Sequence, residues 1–356
     1  MEIDAISVEA MKSVAILGHF ALGMDKANGQ TIKTKIVGDA LRREIGQEQV
    51  DYYDTMGGWK FLVKMPFVMI RMLWGHRNVI VMPAYKGVHL IVPLIVMLNW
   101  LFRRKLHYVV IGGWLPSYVR KYPILRFATR RMDAIYVETC HMRQELEAEG
   151  FKNVRLMPNF KPVSIREEKD LLQQTAPPFP LCTFSRVMKE KGIEDAILAV
   201  RQCNEAAGFP MFQLDIYGLV EIGQELWFEQ LMSQQPKEIK YGGIVPYDKS
   251  TEVLGRYFAL LFPTHFFTEG FAGTLIDAMA AGVPPIASEC PSNQELITNG
   301  KTGFLFAMGH VESLATVLMQ CGQKPSMVND MRKACLKKAG AYLPENVIKT
   351  LTAEIV

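Results

Sequence analysis

Short apolar runs rich in Val, Ile, Leu and Phe recur along the chain and alternate with longer stretches whose apolar positions repeat at helical spacing. In the first half the pattern predicts strands at Ser13–Leu17, Val50–Asp54, Asn78–Met82, His107–Ile111, Ala134–Val137 and Asn153–Met157. Helical patterns fall between them at about Thr31–Ile45, Lys60–Leu73, Val88–Leu101, Tyr118–Thr129 and His141–Glu149. The second half repeats the scheme, with strands at Leu181–Phe184, Phe212–Tyr217, Ile239–Tyr241, Ala259–Phe262, Pro285–Ala287 and Phe304–Phe306. Such alternation predicts an α/β protein of two Rossmann-like, doubly wound parallel-sheet domains. A polar, proline-bearing passage separates the two series: Arg166 to Asp170, then Gln173 to Pro178. The expected domains are therefore 1–165 and 166–343, with an amphipathic helix at 344–356 packing back on the first. They are expected to face a central cleft lined by the C-terminal ends of both sheets, where such folds bind ligands.

Composition narrows the class. The 356 residues are 49% hydrophobic and 21% charged, which suits a globular protein and excludes a disordered one. Six scattered cysteines without a CxxC pair read as reduced thiols of a cytoplasmic protein. The first charges are acidic and the Val14–Leu17 run is short, so no secretory leader is expected. Val88–Phe102 is shorter than the roughly 20 residues a spanning helix needs and carries His89, Pro93 and Asn99, so it reads as a buried helix. The net charge of +4 divides into +8 over residues 1–160 and −4 over 161–356. A basic half and a mildly acidic half suggest different partners.

The stretch TEGFAGTLIDAMAAGVPPIAS, residues 268–288, holds two carboxylates, Glu269 and Asp277, at the start of a predicted short helix that Gly282 and Pro284 close. Thr274 is the expected cap, and Gly270, Phe271, Ala272 and Gly273 would offer backbone N–H groups to a phosphate or diphosphate. One turn in, Asp277 could hold a vicinal diol such as a ribose, and Glu269 could bind sugar hydroxyls or positive charge developing on the sugar. A simpler reading stays open: Thr274 and Asp277 have capping-box spacing, which stabilises a helix with no ligand. Arg186 and Lys191 follow a predicted strand and precede a helix from Ile193, a placement that suits a departing diphosphate. The alternative is a solvated loop, since Lys189 and Glu190 accompany them. In the first half the strand-to-helix turn is not GxGxxG; Asn28–Gly29–Gln30 gives a tight turn whose N–H groups could approach a phosphate.

Glu269–Gly270–Phe271 and the run Asp277–Ala278–Met279–Ala280–Ala281–Gly282–Val283–Pro284 resemble the signature of family-four retaining glycosyltransferases, which have the GT-B fold. The family carries two acids in an E-x7-E arrangement; here Asp stands second and shortens the reach by one methylene. Arg186 with Lys191–Gly192 resembles the family's diphosphate clamp, and Tyr217–Gly218, Tyr241–Gly243 and Asn299–Leu305 resemble its turns. The resemblance runs from about residue 180 to 306 and places the donor loop at Gly29. Where the family often has a histidine near the sugar, this chain has Ile111–Gly112–Gly113–Trp114. Gly113 would allow close approach, Trp114 could stack on a sugar ring, and His19 is a substitute for the histidine.

The resemblance implies retention of anomeric configuration, with a UDP- or GDP-type nucleotide sugar as donor. It implies a lipid-linked or growing glycan acceptor, in bacterial surface polysaccharide synthesis. No residue stands out as a covalent nucleophile, which favours front-face displacement. No DxD motif or His/Cys cluster stands out, so no obligatory metal or other cofactor is expected. A nucleotide-sugar epimerase or hydrolase, or a non-catalytic glycan-binding subunit, are the rival readings; nucleic-acid binding fits poorly because the basic excess is diffuse. The segment WKFLVKMPFVMIRMLW, Trp59–Trp74, places Lys60, Lys64 and Arg71 within an arc of about 40°. It reads either as a core helix with one wet stripe or as a helix lying on the inner face of an anionic membrane.

Overall fold

The computed structural model describes residues 11–21, 29–56, 59–266 and 269–355. Asn28 and Thr268, named above, lie outside them. The chain divides into unit 1, residues 1–158 with 344–356, and unit 2, residues 159–343.

Unit 1 is built on a parallel sheet of β1 (Lys12–Gly18), β2 (Val50–Asp54), β3 (His76–Met82), β4 (Lys105–Val109), β5 (Ala134–Val137) and β6 (Val154–Leu156), in the order β2-β1-β3-β4-β5-β6. Both faces of its central strands are covered, which is why β1 and β3 are apolar at consecutive positions. One face receives α2 (Trp59–Gly75), α3 (Val88–Phe102), α4 (Leu115–Lys121), α5 (Pro123–Thr129) and α6 (Cys140–Ala148), following α1 (Gly29–Ile45) in the chain. Met69, Ile95, Leu125 and Leu146 of these helices join Leu17, Val81 and Val137 in one core cluster. The helices Pro344–Val347 and Lys349–Ile355 return to unit 1. There the Asn78 amide donates to the Ile355 carbonyl at 3.3 Å, and Arg155 pairs with Glu354 at 2.9 Å.

Unit 2 carries β7 (Phe179–Phe184), β8 (Phe212–Tyr217), β9 (Ile239–Gly243), β10 (Ala259–Phe262), β11 (Pro285–Ser288) and β12 (Phe304–Phe306), all parallel. Their order, β12-β11-β10-β7-β8-β9, reverses direction between β7 and β10. That topological switch point leaves a crevice at the strands' C-terminal ends, with α7 (Ile193–Ala207) crossing over from β7. Successive strand residues enter opposite layers: Leu181 and Leu261 one cluster, Cys182 and Leu260 the other.

The predicted strands form where the pattern put them, with ends moved by a few residues. Two element boundaries differ from expectation. The helix expected over Tyr118–Thr129 breaks at Tyr122, whose φ of −119° and ψ of 99° are extended, because Pro123 disfavours helix in the residue before it. Unit 2 begins at Asn159 rather than Arg166. The Asn159 side chain donates to the Phe271 carbonyl at 2.9 Å, and Lys161 N–H to the Tyr342 carbonyl at 3.3 Å, so this stretch is tied to unit 2 before the polar passage starts.

Candidate active site

Four sequence-predicted residues flank the switch point of unit 2. Arg186 and Lys191 follow β7, while Glu269 and Asp277 follow β10. The turn Lys189–Lys191 is fixed by Gly192, at φ +69°. A Cβ at Gly192 would stand 1.9 Å from the Pro263 carbonyl oxygen, so only glycine lets this turn press against the loop after β10. The approach brings Lys191 Nζ onto Glu269 Oε2, and the Thr264 hydroxyl donates to the same oxygen at 3.0 Å. The Lys191 ammonium also lies 5.4 and 5.2 Å from the ring centres of Phe262 and Phe266. With side chains 12% and 14% exposed, the pair is partly withdrawn from water, where charge interactions are stronger.

Arg186 stands apart from that pair. Its half-exposed guanidinium bonds Glu221 at 2.8 Å. Gly218, at φ +140°, makes that partner available: a Cβ there would lie 1.8 Å from the Ser185 carbonyl oxygen, so glycine lets the end of β8 close on the end of β7.

The helix Gly273–Ala280 has Ala272 at its N-cap and no side-chain cap. This corrects the expectation for Thr274, which lies inside the first turn with its hydroxyl buried and unbonded. Asp277 is no capping-box acid either. Its Oδ2 accepts from Lys161 Nζ at 2.7 Å, and the same ammonium donates to Ser250 Oγ at 3.3 Å. Asp277 is 3% exposed, and its Oδ1 is buried with no hydrogen-bond partner. Burial pushes this carboxyl above its ordinary range, with the Lys161 charge opposing the shift. The capping-box reading of Asp277 therefore loses its mechanism, and an acceptor atom is left that a hydroxyl could satisfy. Gly270 precedes this helix on the same loop. Phe271 is a core residue whose ring packs on Tyr342 at 5.0 Å; only its backbone can serve a ligand.

Unit 1 contributes a separate group at the C-terminal ends of its strands. Gly29 is exposed at the first position of α1, and a Cβ there would meet nothing, so packing does not require this glycine. His19 directly follows β1 and is half-buried. Gly113 sits in the bend after β4, beside Gly112 at φ +85°. Trp114 is committed to the protein: its indole N–H donates to the Ile111 carbonyl at 2.8 Å, and its ring meets Tyr118 edge-on at 5.0 Å. Sequence reasoning missed the buried pair behind this bend. Lys33 of α1 lies 3.5 Å from Glu138, which accepts from the Gly112 N–H at 3.3 Å. Burial pushes the Lys33 ammonium below its usual range, against the pull of Glu138. Lys161, Thr264 and Ser250 were missed as well. The only local signal was a cation, Lys161, set between Phe160 and Pro162.

Among the described residues no three His, Cys, Asp or Glu side chains come together as a metal site.

Two parallel-sheet, Rossmann-like units define a protein of the GT-B glycosyltransferase fold. The family model described as "Glycosyl transferases group 1" matches residues 166–338, which lie within the second unit. Among curated proteins it is 27% identical over 187 residues to the GtfA subunit of the UDP-N-acetylglucosamine–peptide N-acetylglucosaminyltransferase of Streptococcus pneumoniae, covering 51% of this chain and 36% of that protein. It is 27% identical over 304 residues to the lipopolysaccharide core biosynthesis mannosyltransferase LpsB of Rhizobium meliloti, covering 82% and 78%. The chain thus spans about a third of the first relative's length and most of the second's. Of solved structures, Anabaena Alr3699/HepE in complex with UDP and glucose superposes with a TM-score of 0.75 at 14% identity, over 97% of this chain and 99% of that one.

Proposed function

We propose that this protein is a retaining glycosyltransferase that moves a sugar from a nucleoside-diphosphate sugar to a lipid-linked or growing glycan acceptor in bacterial surface polysaccharide synthesis. The observation that carries the reading is the convergence, at one switch point, of the Lys191–Glu269 pair with a helix start that no side chain caps. An uncapped helix N-terminus and an ammonium suit a diphosphate. The unpartnered Asp277 Oδ1 suits a ribose hydroxyl. The mannosyltransferase name of LpsB and the UDP and glucose bound by HepE support a nucleotide-sugar donor.

In this reading Lys191 and Arg186 neutralise the departing diphosphate, and Glu269 orients the sugar and offsets positive charge at its anomeric carbon. The bond from that carbon to the diphosphate oxygen breaks while the acceptor hydroxyl bonds to it on the same face. The acceptor's proton passes to the departing oxygen, so no covalent enzyme intermediate is needed.

Thermal-shift titration against UDP, GDP, dTDP and ADP sugars should reveal one nucleotide class that raises the midpoint. Lys191→Ala should abolish the rise and lower kcat/KM about 10²- to 10³-fold. Inverted anomeric configuration in the product, read by NMR, defeats the retaining mechanism; no response to any nucleotide defeats the reading as a whole.

A further inference from the structure

A helix laid over a sheet in a water-soluble domain ordinarily turns polar residues outward. In unit 1, α2, α3 and α5 do not. Their sheet-facing sides are filled by Met69, Ile95 and Leu125. Their opposite sides expose Phe67, Trp74, Met97, Trp100, Leu101 and Ile124, with Phe67 75% and Trp100 85% exposed. The helices form one layer: Arg104 at the end of α3 donates to the Leu73 carbonyl of α2 at 2.9 Å, and Trp74 meets Phe102 edge-on at 6.3 Å. The outward side chains therefore share one side of the unit, and a continuous apolar face of this kind marks an interaction surface.

Charge selects the occupant. From residue 55 to residue 132 the chain has thirteen Lys or Arg and neither Asp nor Glu. Lys64, Arg71, Arg103, Lys121 and Arg131 are exposed among the apolar residues, and the Arg131 guanidinium lies 3.6 Å from the centre of the Phe127 ring. A second copy meeting this face through its own would set like charges against each other with no acid to answer them. A nucleic acid would leave the tryptophan, phenylalanine and leucine side chains without a partner. An anionic bilayer satisfies both, accepting aromatic and aliphatic groups at the acyl boundary and cations at its phosphates. No helix of the described residues is long and apolar enough to cross a membrane, so the contact is one of lying on the surface.

We infer that the outward face of α2, α3 and α5 docks on an anionic lipid surface, with Phe67, Trp74, Trp100 and Ile124 entering the acyl boundary and Lys64, Arg71, Arg103 and Lys121 meeting headgroup phosphates. This surface does not rest on the transferase reading, and it enlarges the membrane contact foreseen for the α2 segment to three helices.

The test is co-sedimentation of the full chain with phosphatidylcholine vesicles, with and without phosphatidylglycerol. Binding should require the anionic lipid and weaken in high salt. The double variant Phe67→Ser/Trp100→Ser should bind about tenfold or more weakly while keeping the wild-type thermal midpoint, because both side chains are already in water. Lys64→Gln/Arg71→Gln/Arg103→Gln should lose the preference for phosphatidylglycerol. On the unmodified chain, brominated lipids should quench tryptophan fluorescence. Absence of vesicle binding, absence of quenching, or equal binding by the double variant overturns the proposal. So does a dimer in light scattering that the double variant dissolves. Nucleotide-induced thermal shifts should be the same in all these variants, which separates a failure here from a failure of the transferase reading.

Discussion

Asp277 is the residue whose sequence reading changed most. As a motif position it could have been a helix cap or a ribose ligand, and its spacing from Thr274 served both. The third dimension decides against the cap by supplying Lys161, 116 positions away. No local pattern encodes a contact across that separation, so the acid was legible and its partner was not. The pairing has a testable cost. Lys161→Met would leave the carboxylate buried without a counter-charge, at about 3 kcal/mol near neutral pH. The sign with pH follows from burial, which raises the folded-state pKa of Asp277 above its unfolded value. A group raised in this way holds its full stability only below the unfolded pKa and loses it as pH rises through the folded pKa. Lys161→Met raises the folded pKa further. The stability gap between variant and wild type, measured by urea unfolding from pH 4.5 to 8, should therefore narrow toward the acid end. A gap constant with pH would show that Lys161 contributes packing alone.

At the level of elements, the strands were readable because both faces of each sheet are covered and the apolar runs are nearly continuous. The α4–α5 break was less so, since the apolar positions continue through Tyr122 and only Pro123 interrupts them. What the pattern could not foresee was the closeness of neighbouring loops, which Gly192 and Gly218 set. Gly192 and Gly208 bracket α7 with similar φ values, +69° and +75°, yet they do different work. A Cβ at Gly208 would meet nothing, so Gly208→Ala should cost about 1 kcal/mol for the left-handed conformation alone, with activity intact. Gly192→Ala must in addition push Pro263 away. It should cost more in thermal unfolding and separate Lys191 from Glu269, with a loss of turnover approaching that of Lys191→Ala. Equal effects of the two substitutions on turnover would contradict the placement of that pair in the site.

At the scale of the whole molecule, the return of residues 344–356 makes unit 1 a product of both ends of the stretch. Val347, Ile348, Leu351 and Ile355 are buried there, and their loss removes apolar contact worth on the order of 5 kcal/mol. Deletion of 344–356 should lower the unfolding midpoint of unit 1 in calorimetry and leave the nucleotide-induced shift of unit 2 in place. If the deletion abolishes that shift as well, the tail serves more than unit 1. The amphipathic pattern of this tail was readable from the sequence; the surface it covers was not, because Asn78 and Arg155 carry no mark of a distant partner.

That returning tail also sets an order of assembly on the ribosome. Unit 2 is one uninterrupted span and can close as soon as it has emerged, whereas unit 1 waits with a bare patch on its sheet until residues 344–356 are translated. Unit 1 starts to emerge before unit 2 and is completed after it, and for that interval a chaperone has an apolar surface to hold.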